Sequence, residues 1–260
     1  MKKIILLALL PVIIGFAACS QTGNGEASEE NTKEPPRVLF VLTSHDELGD
    51  TGEKTGFWLE EFAAPYYTLH DKGVKITVAS PEGGRAPIDP RSASEENQTE
   101  ATRRFNKDTK AQSIIENTVE LATVRAENYD AVFYPGGHGP LWDLAESETS
   151  VSLIESFNKQ KKPMAFVCHA PGVLKNVQNV EGDPFVKGKK VTGFTNSEEK
   201  AVQLINVVPF LLEDMLKKKG GIYIEAKNWT VNVVQDGHLI TGQNPSSSEK
   251  AAELLYSELN

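Results

Sequence analysis

Short continuous apolar runs alternate along this chain with segments whose apolar residues fall at helical spacing, and that alternation restricts the fold more than any other feature. Val38 to Thr43 reads VLFVLT, the pattern of a strand buried on both faces. Gly56 to Lys72 follows with Phe57, Phe62, Tyr66 and Leu69 at helical spacing, and Lys72-Gly73 ends it. Val74 to Ala79 is the next strand. The order β-α-β predicts a parallel sheet. Downstream, helices are expected over Thr109–Val124, Ser150–Lys161, Asn206–Lys218 and Ser247–Leu259. Strands are expected over Ala131–Tyr134, Pro163–Val167 and Lys190–Phe194. Asn232–Gln235 and His238–Thr241 flank Asp236-Gly237, a hairpin signal. Ser80 to Asp108 is rich in Pro, Gly, Ser, Glu and Asn and reads as a long surface excursion. The expected architecture is a three-layer α/β/α sandwich, mostly parallel, with an antiparallel edge near the C-terminus.

The N-terminus has a different character. Lys2 and Lys3 precede an apolar stretch from Ile4 to Phe16, and Ala17-Ala18-Cys19 follows. Residues 1–18 have the form of a secretory signal peptide, too short to span a bilayer comfortably. Phe16-Ala17-Ala18-Cys19 resembles a bacterial lipobox, in which Cys19 would be lipidated and become the new N-terminus; Phe stands where Leu is usual. Residues 19–36 contain no large apolar side chain and end in Pro35-Pro36, as a flexible tether does. Residues 37–260 are one domain's worth of chain. The expectation is an exported domain tied to a bacterial membrane through its lipid anchor only. Net charge is −9, and more negative once Lys2 and Lys3 are removed, which argues against nucleic acid as a partner. With Cys19 lipidated, Cys168 has no partner in the chain, so neither a disulfide framework nor a cysteine metal cluster is expected.

Ligands of open α/β sheets bind beyond the carboxyl ends of the strands. Three groups fall there. Cys168 directly follows the strand run PMAFV and precedes a helix-like segment, the setting of a nucleophile elbow. A helix N-terminus aimed at the sulfur would favour the thiolate near neutral pH. His169 is adjacent, a base or a backbone N–H donor. Gly136-Gly137-His138-Gly139 follows another strand, and its glycines let backbone N–H groups approach a substrate oxygen. Each group alone has a plainer reading: a buried small hydrophobe, a core histidine, a tight turn. Together at the sheet edge they favour chemistry.

Phe166-Val167-Cys168-His169-Ala170-Pro171 and Tyr134-Pro135-Gly136-Gly137-His138-Gly139 resemble the ThiJ/PfpI superfamily. Three further segments narrow the resemblance: Thr55-Gly56-Phe57-Trp58-Leu59-Glu60-Glu61 through Pro65, Val191 through Glu199, and Asp236 through Pro245. This set is similar to the glutathione-independent glyoxalase (glyoxalase III) branch, also known as stress chaperones. The resemblance implies a flavodoxin-like sheet, Cys168 as nucleophile, His169 as its partner, Glu199 as the third member of a triad, and Glu61 as an acid that moves protons. It also implies oxyanion donors at the Gly137 and His169 N–H groups, with His138 lining the pocket. The motif spacing favours Glu61 and Glu199 over their neighbours Glu60 and Glu198, which read as solvated helix positions. The implied reaction converts methylglyoxal or a related small reactive carbonyl to a hydroxy acid, with neither metal nor cofactor.

Other readings stay open: deglycation or amide hydrolysis on the same thiol, and a holdase chaperone. Class I amidotransfer fits less well, because Val167-Cys168-His169-Ala170 is not a Gly-x-Cys-x-Gly turn and His238 is followed by Leu239-Ile240 rather than by a His-x-Glu pair. Pairing of two copies as a homodimer is left open.

Overall fold

The computed structural model describes residues 34–259. The signal-peptide and Cys19 assignments, and the tether up to residue 33, lie outside the described residues. Pro35–Asn260 forms one unit. Its strands are β1 (Arg37–Val41), β2 (Lys75–Ser80), β3 (Val119–Glu120), β4 (Ala131–Tyr134), β5 (Met164–Val167), β6 (Lys190–Val191), β7 (Ile222–Tyr223), β8 (Val233–Asp236) and β9 (Leu239–Gly242). Its α-helices are α1 (Leu59–His70), α2 (Glu100–Phe105), α3 (Thr109–Glu116), α4 (Glu148–Lys159), α5 (Asn196–Ala201), α6 (Leu212–Lys218) and α7 (Ser248–Ser257).

The main sheet has the order β3-β2-β1-β4-β5-β9-β8. Every neighbouring pair is parallel except β8 with β9. The sandwich with an antiparallel edge is therefore the observed fold. Chain direction across the sheet reverses between β1 and β4. The β1-α1-β2 crossover steps one way and β4-α4-β5 the other, so right-handed connections put α1 and α4 on opposite faces. Helix α7 packs against α1. The central strands β4 and β5 are completely buried, as their uninterrupted apolar sequence requires. Phe40 stacks on Phe133 across the β1/β4 pair, with ring centroids 5.1 Å apart.

Several segments depart from the expected elements, among them the strand expected over Lys190–Phe194, which is only Lys190–Val191 and pairs with β7 in a separate two-stranded sheet. The helix expected to reach Val124 stops at Glu116, because Val119 pairs with Ala79 and extends the free edge of β2. The helix expected from Asn206 starts only at Leu212; Pro209 removes an N–H and disfavours helix at the residue before it. In the hairpin Asp236 pairs with Leu239, so the turn is Gly237-His238 and Gly237 takes φ +60°. Finally, residues 81–108 are more than a surface excursion. They hold two 3₁₀ turns and α2, and they bury Asp89 and Ser92 completely.

Candidate active site

β5 ends at Val167, and the chain turns sharply at Cys168, which has φ +60°. A non-glycine residue there costs on the order of 1–3 kcal/mol and persists only when its surroundings hold it. Both backbone groups are held: the Cys168 N–H donates to the Gly242 carbonyl (2.9 Å), and its carbonyl accepts the Phe194 N–H (2.9 Å). β9 on one side and the loop between β6 and α5 on the other thus hold the turn. The Tyr134↔Phe166 register, carried two residues on, sets Gly136 opposite Cys168. A Cβ on Gly136 would lie 2.5 Å from the Val167 carbonyl oxygen and 2.8 Å from a Glu61 carboxylate oxygen, so the crossing has no room for a side chain. Cys168 is buried, with Sγ 3.3 Å from His169 Nδ1.

From His169 a hydrogen-bonded chain runs away from the sulfur. His169 Nε2 lies 2.7 Å from Glu199 Oε2, and His138 Nε2 lies 2.9 Å from Glu199 Oε1. The two imidazoles are tilted against each other with centroids 4.0 Å apart. Arg91 Nη2 is 3.2 Å from His138 Nδ1. A guanidinium can only donate, so Nδ1 accepts and Nε2 carries the proton given to Glu199. Arg91 is itself clasped by the buried Asp89 carboxylate, which also accepts the Thr55 hydroxyl (2.9 Å). Burial opposes ionisation of Glu199, but the two histidines together outweigh it and hold the carboxyl well below its ordinary range. Burial, then His169, pushes His138 down to about 4.

Glu61 approaches from the other side. It lies in the first turn of α1 and is fully buried. Oε2 accepts the Gly136 N–H at 2.7 Å. Among the described residues Oε1 has no partner that meets hydrogen-bond geometry, yet the carboxyl is close enough to the Cys168 thiol to interact with it. Burial pushes Glu61 up to about 8. Pro65, four residues on, has no N–H to offer the Glu61 carbonyl. Trp58 provides no side-chain cap for α1; the Leu59 N–H instead donates to Ser92 Oγ at 3.0 Å.

The thiolate expected at Cys168 is not what this environment favours. Burial and then the Glu61 carboxyl push the thiol well above its ordinary value, while the Gly137 N–H pulls the other way. The segment after the elbow, Ala170–Asn176, is a 3₁₀ helix rather than the α-helix that the expectation relied on. Glu61 and the thiol are best treated as one pair.

Glu61, Cys168, His169 and Glu199 come together, and Gly137 and His138 line the same cavity. His138 does more than line it, since it also binds Glu199. The neighbours Glu60 and Glu198 are not freely solvated helix positions. Glu198 sits at N3 of a capping box with Thr195 and is buried, accepting N–H groups from Trp229 (2.9 Å), Gln243 (3.2 Å) and Asn244 (2.8 Å). Glu60 is half-buried at the cavity, accepts the Thr99 hydroxyl, and is pushed up to about 7 by burial. Asp89 and Arg91 lie in a segment whose Pro, Gly, Ser, Glu and Asn content reads as surface. Trp229 carried no signal, although Phe194 lay inside a quoted motif.

His138, His169 and Glu199 place ligand atoms within 4.8 Å of one another. A metal on His138 Nε2 would need the proton moved to Nδ1, where Arg91 already donates. The hydrogen bonds therefore fit a proton-ordered network better than a metal cage. The cavity above the thiol has a volume of about 670 Å³, and Trp58, Phe194 and Trp229 form part of its wall.

The sequence pattern described as the DJ-1/PfpI family matches residues 54–257. Glyoxalase 3 of Candida albicans is 28% identical over 225 residues, spanning 84% of this chain and 95% of that protein. A crystal structure of glyoxalase III from Candida albicans superimposes with a TM-score of 0.79 at 27% identity, covering 86% of this chain and 98% of the other. The X-ray structure of Rapid Encystment Protein 24 KDa from Francisella tularensis gives a TM-score of 0.82 at 38% identity, covering 86% and 99%.

Proposed function

The chain belongs to the DJ-1/PfpI family, and from that premise we propose that it is a glutathione-independent glyoxalase with Cys168 as nucleophile. The observation that carries the reading is the placement of one thiol between His169 Nδ1 and the unpartnered oxygen of a buried Glu61. That arrangement suits addition of the thiol to the aldehyde of a 2-ketoaldehyde. Sulfur bonds to C1, the carbonyl oxygen becomes a hydroxyl, and the thiol proton leaves through Glu61 or His169. The same base then takes the C1 proton and returns one to C2 through an enediol, leaving a thioester. Water cleaves the thioester, frees the thiol and releases the hydroxy acid. In sum, methylglyoxal and water give lactate, without net oxidation. A carboxyl poised near 8 is matched to accepting and returning a proton close to neutral pH. Glu199 stays anionic and orients His169.

Lactate formed from methylglyoxal without glutathione tests the proposal directly. Turnover is expected for the wild-type protein and none for Cys168→Ala; lactate formation that survives the substitution would remove the thiol mechanism. The exported, lipid-anchored location remains part of the same proposal. It rests on Phe16-Ala17-Ala18-Cys19 and predicts that Cys19 takes up a palmitate label. Unlabelled protein would count against it.

A further inference from the structure

The cavity is far larger than a three-carbon ketoaldehyde needs. At about 670 Å³ it lies in the range that holds drug-sized ligands. One wall is aromatic from the histidine outward. The Phe194 ring lies 4.3 Å from the His169 ring, and the Trp229 ring lies 5.7 Å from Phe194. Trp58 also lines the cavity.

Trp229 is held there at a cost. It has φ +64°, a conformation that bulky residues rarely adopt, and its side chain stays half-exposed at the cavity instead of entering the core. Its backbone N–H donates to Glu198, a fully buried carboxylate with no part in the proposed proton transfers. Gln243 and Asn244, just beyond β9, donate to the same oxygen of that carboxylate. A strained backbone, a buried anchoring carboxylate and an exposed indole converge on one residue. Strain of this kind collects at ligand clamps.

The charges around the cavity narrow what the wall could receive. Arg91 is committed to Asp89 and His138, and Glu60 and Glu96 also line the space. An anionic substituent would meet carboxylates and a guanidinium whose charge Asp89 already offsets, whereas a flat uncharged one would meet indole and phenyl faces.

We infer that Trp229 and Phe194 form a subsite for an aryl or other extended apolar substituent, so that the substrates are 2-ketoaldehydes bulkier than methylglyoxal. The inference rests on the proposed glyoxalase reaction. The chemistry is the same: phenylglyoxal and water give mandelate, with the C1 proton moved to C2.

The test compares kcat/KM for phenylglyoxal and methylglyoxal in the wild-type protein, Trp229→Gly and Trp229→Phe. Glycine removes the ring and adopts φ +64° without strain, so a loss of preference in that variant is not a folding defect. The wild-type protein should favour phenylglyoxal about tenfold or more, the size of effect an apolar pocket delivers. Trp229→Gly should erase most of that ratio, mainly through KM, and Trp229→Phe should restore much of it. A wild-type ratio near one, or a ratio that Trp229→Gly leaves in place, overturns the subsite while lactate formation keeps the proposed reaction. Absence of product from both aldehydes in the wild-type protein overturns the reaction, and the subsite with it.

Discussion

Glu61 and Glu199 are two buried carboxylates that serve one thiol from opposite sides, and their surroundings push them in opposite directions. Glu61 meets a single backbone N–H and a thiol, so burial dominates and raises it to about 8. Glu199 meets an N–H from each of two imidazoles, and those overcome the same burial penalty. The two histidines beside Glu199, by charge and by hydrogen bond, separate the two. A carboxyl that can hold a proton at neutral pH is suited to carrying one, and a carboxylate that stays charged is suited to orienting a histidine.

Removing Glu61, the proposed proton carrier, should have the largest effect. Glu61→Gln should lower kcat with methylglyoxal by about a hundred- to ten-thousand-fold, the usual worth of a general base. Mass spectrometry should still detect the aldehyde adduct on Cys168. The rate of the wild-type protein should rise with pH toward 8 as Glu61 ionises, and that limb should vanish in the variant. Glu199→Gln should fall at the lower end of the same range, about a hundredfold. A glutamine carbonyl can accept from one imidazole but not serve both. If Glu199→Gln costs more than Glu61→Gln, the division of labour is reversed.

Stability should separate the pair by sign. Glu61 binds its proton more tightly folded than unfolded, so its stabilisation is complete below about pH 4.5 and is lost as pH rises toward 8. Glu199 is the converse: its contribution is present above about pH 4.5 and is lost as pH falls below that. Thermal melts across this range should show Glu61→Gln melting above wild type at alkaline pH. Glu199→Gln should flatten the acid side instead. Parallel curves for all three proteins would break the contrast. The smallest effect is expected at Glu60, half-buried against Thr99. Glu60→Gln should leave kcat within about threefold; a loss matching Glu61→Gln would mean that the proton carrier is misassigned.

The strands that carry the site were legible because a strand buried on both faces writes itself as an unbroken apolar run, as in Val38–Val41 and Ala131–Tyr134. Cys168 and the Gly136-Gly137 pair were legible because they follow directly from such runs. Asp89, Arg91 and Ser92 were not. Their polar groups satisfy one another inside the fold, and in sequence they look like any solvated loop. Glu198 was hidden for a related reason: a glutamate three residues after a capping threonine looks like surface until its other partners are known. The raised thiol depends on how deeply Cys168 and Glu61 are buried together, and spacing along a chain carries no measure of depth.

The cap that Ser92 lends to α1 has a consequence for the order of assembly. The helix that carries Glu61 starts without a side-chain cap of its own, and the hydroxyl on its first N–H comes from 33 residues later in the chain. His138 likewise waits for Arg91, 47 residues away in sequence. Neither closure is long for this fold, since the β1/β4 pair Val38↔Ala131 spans more of the chain, but both contacts come from one segment. During refolding, enzymatic activity should therefore recover no earlier than residues 81–108 dock, and Ser92→Ala should delay it without delaying the far-ultraviolet circular dichroism of the sheet.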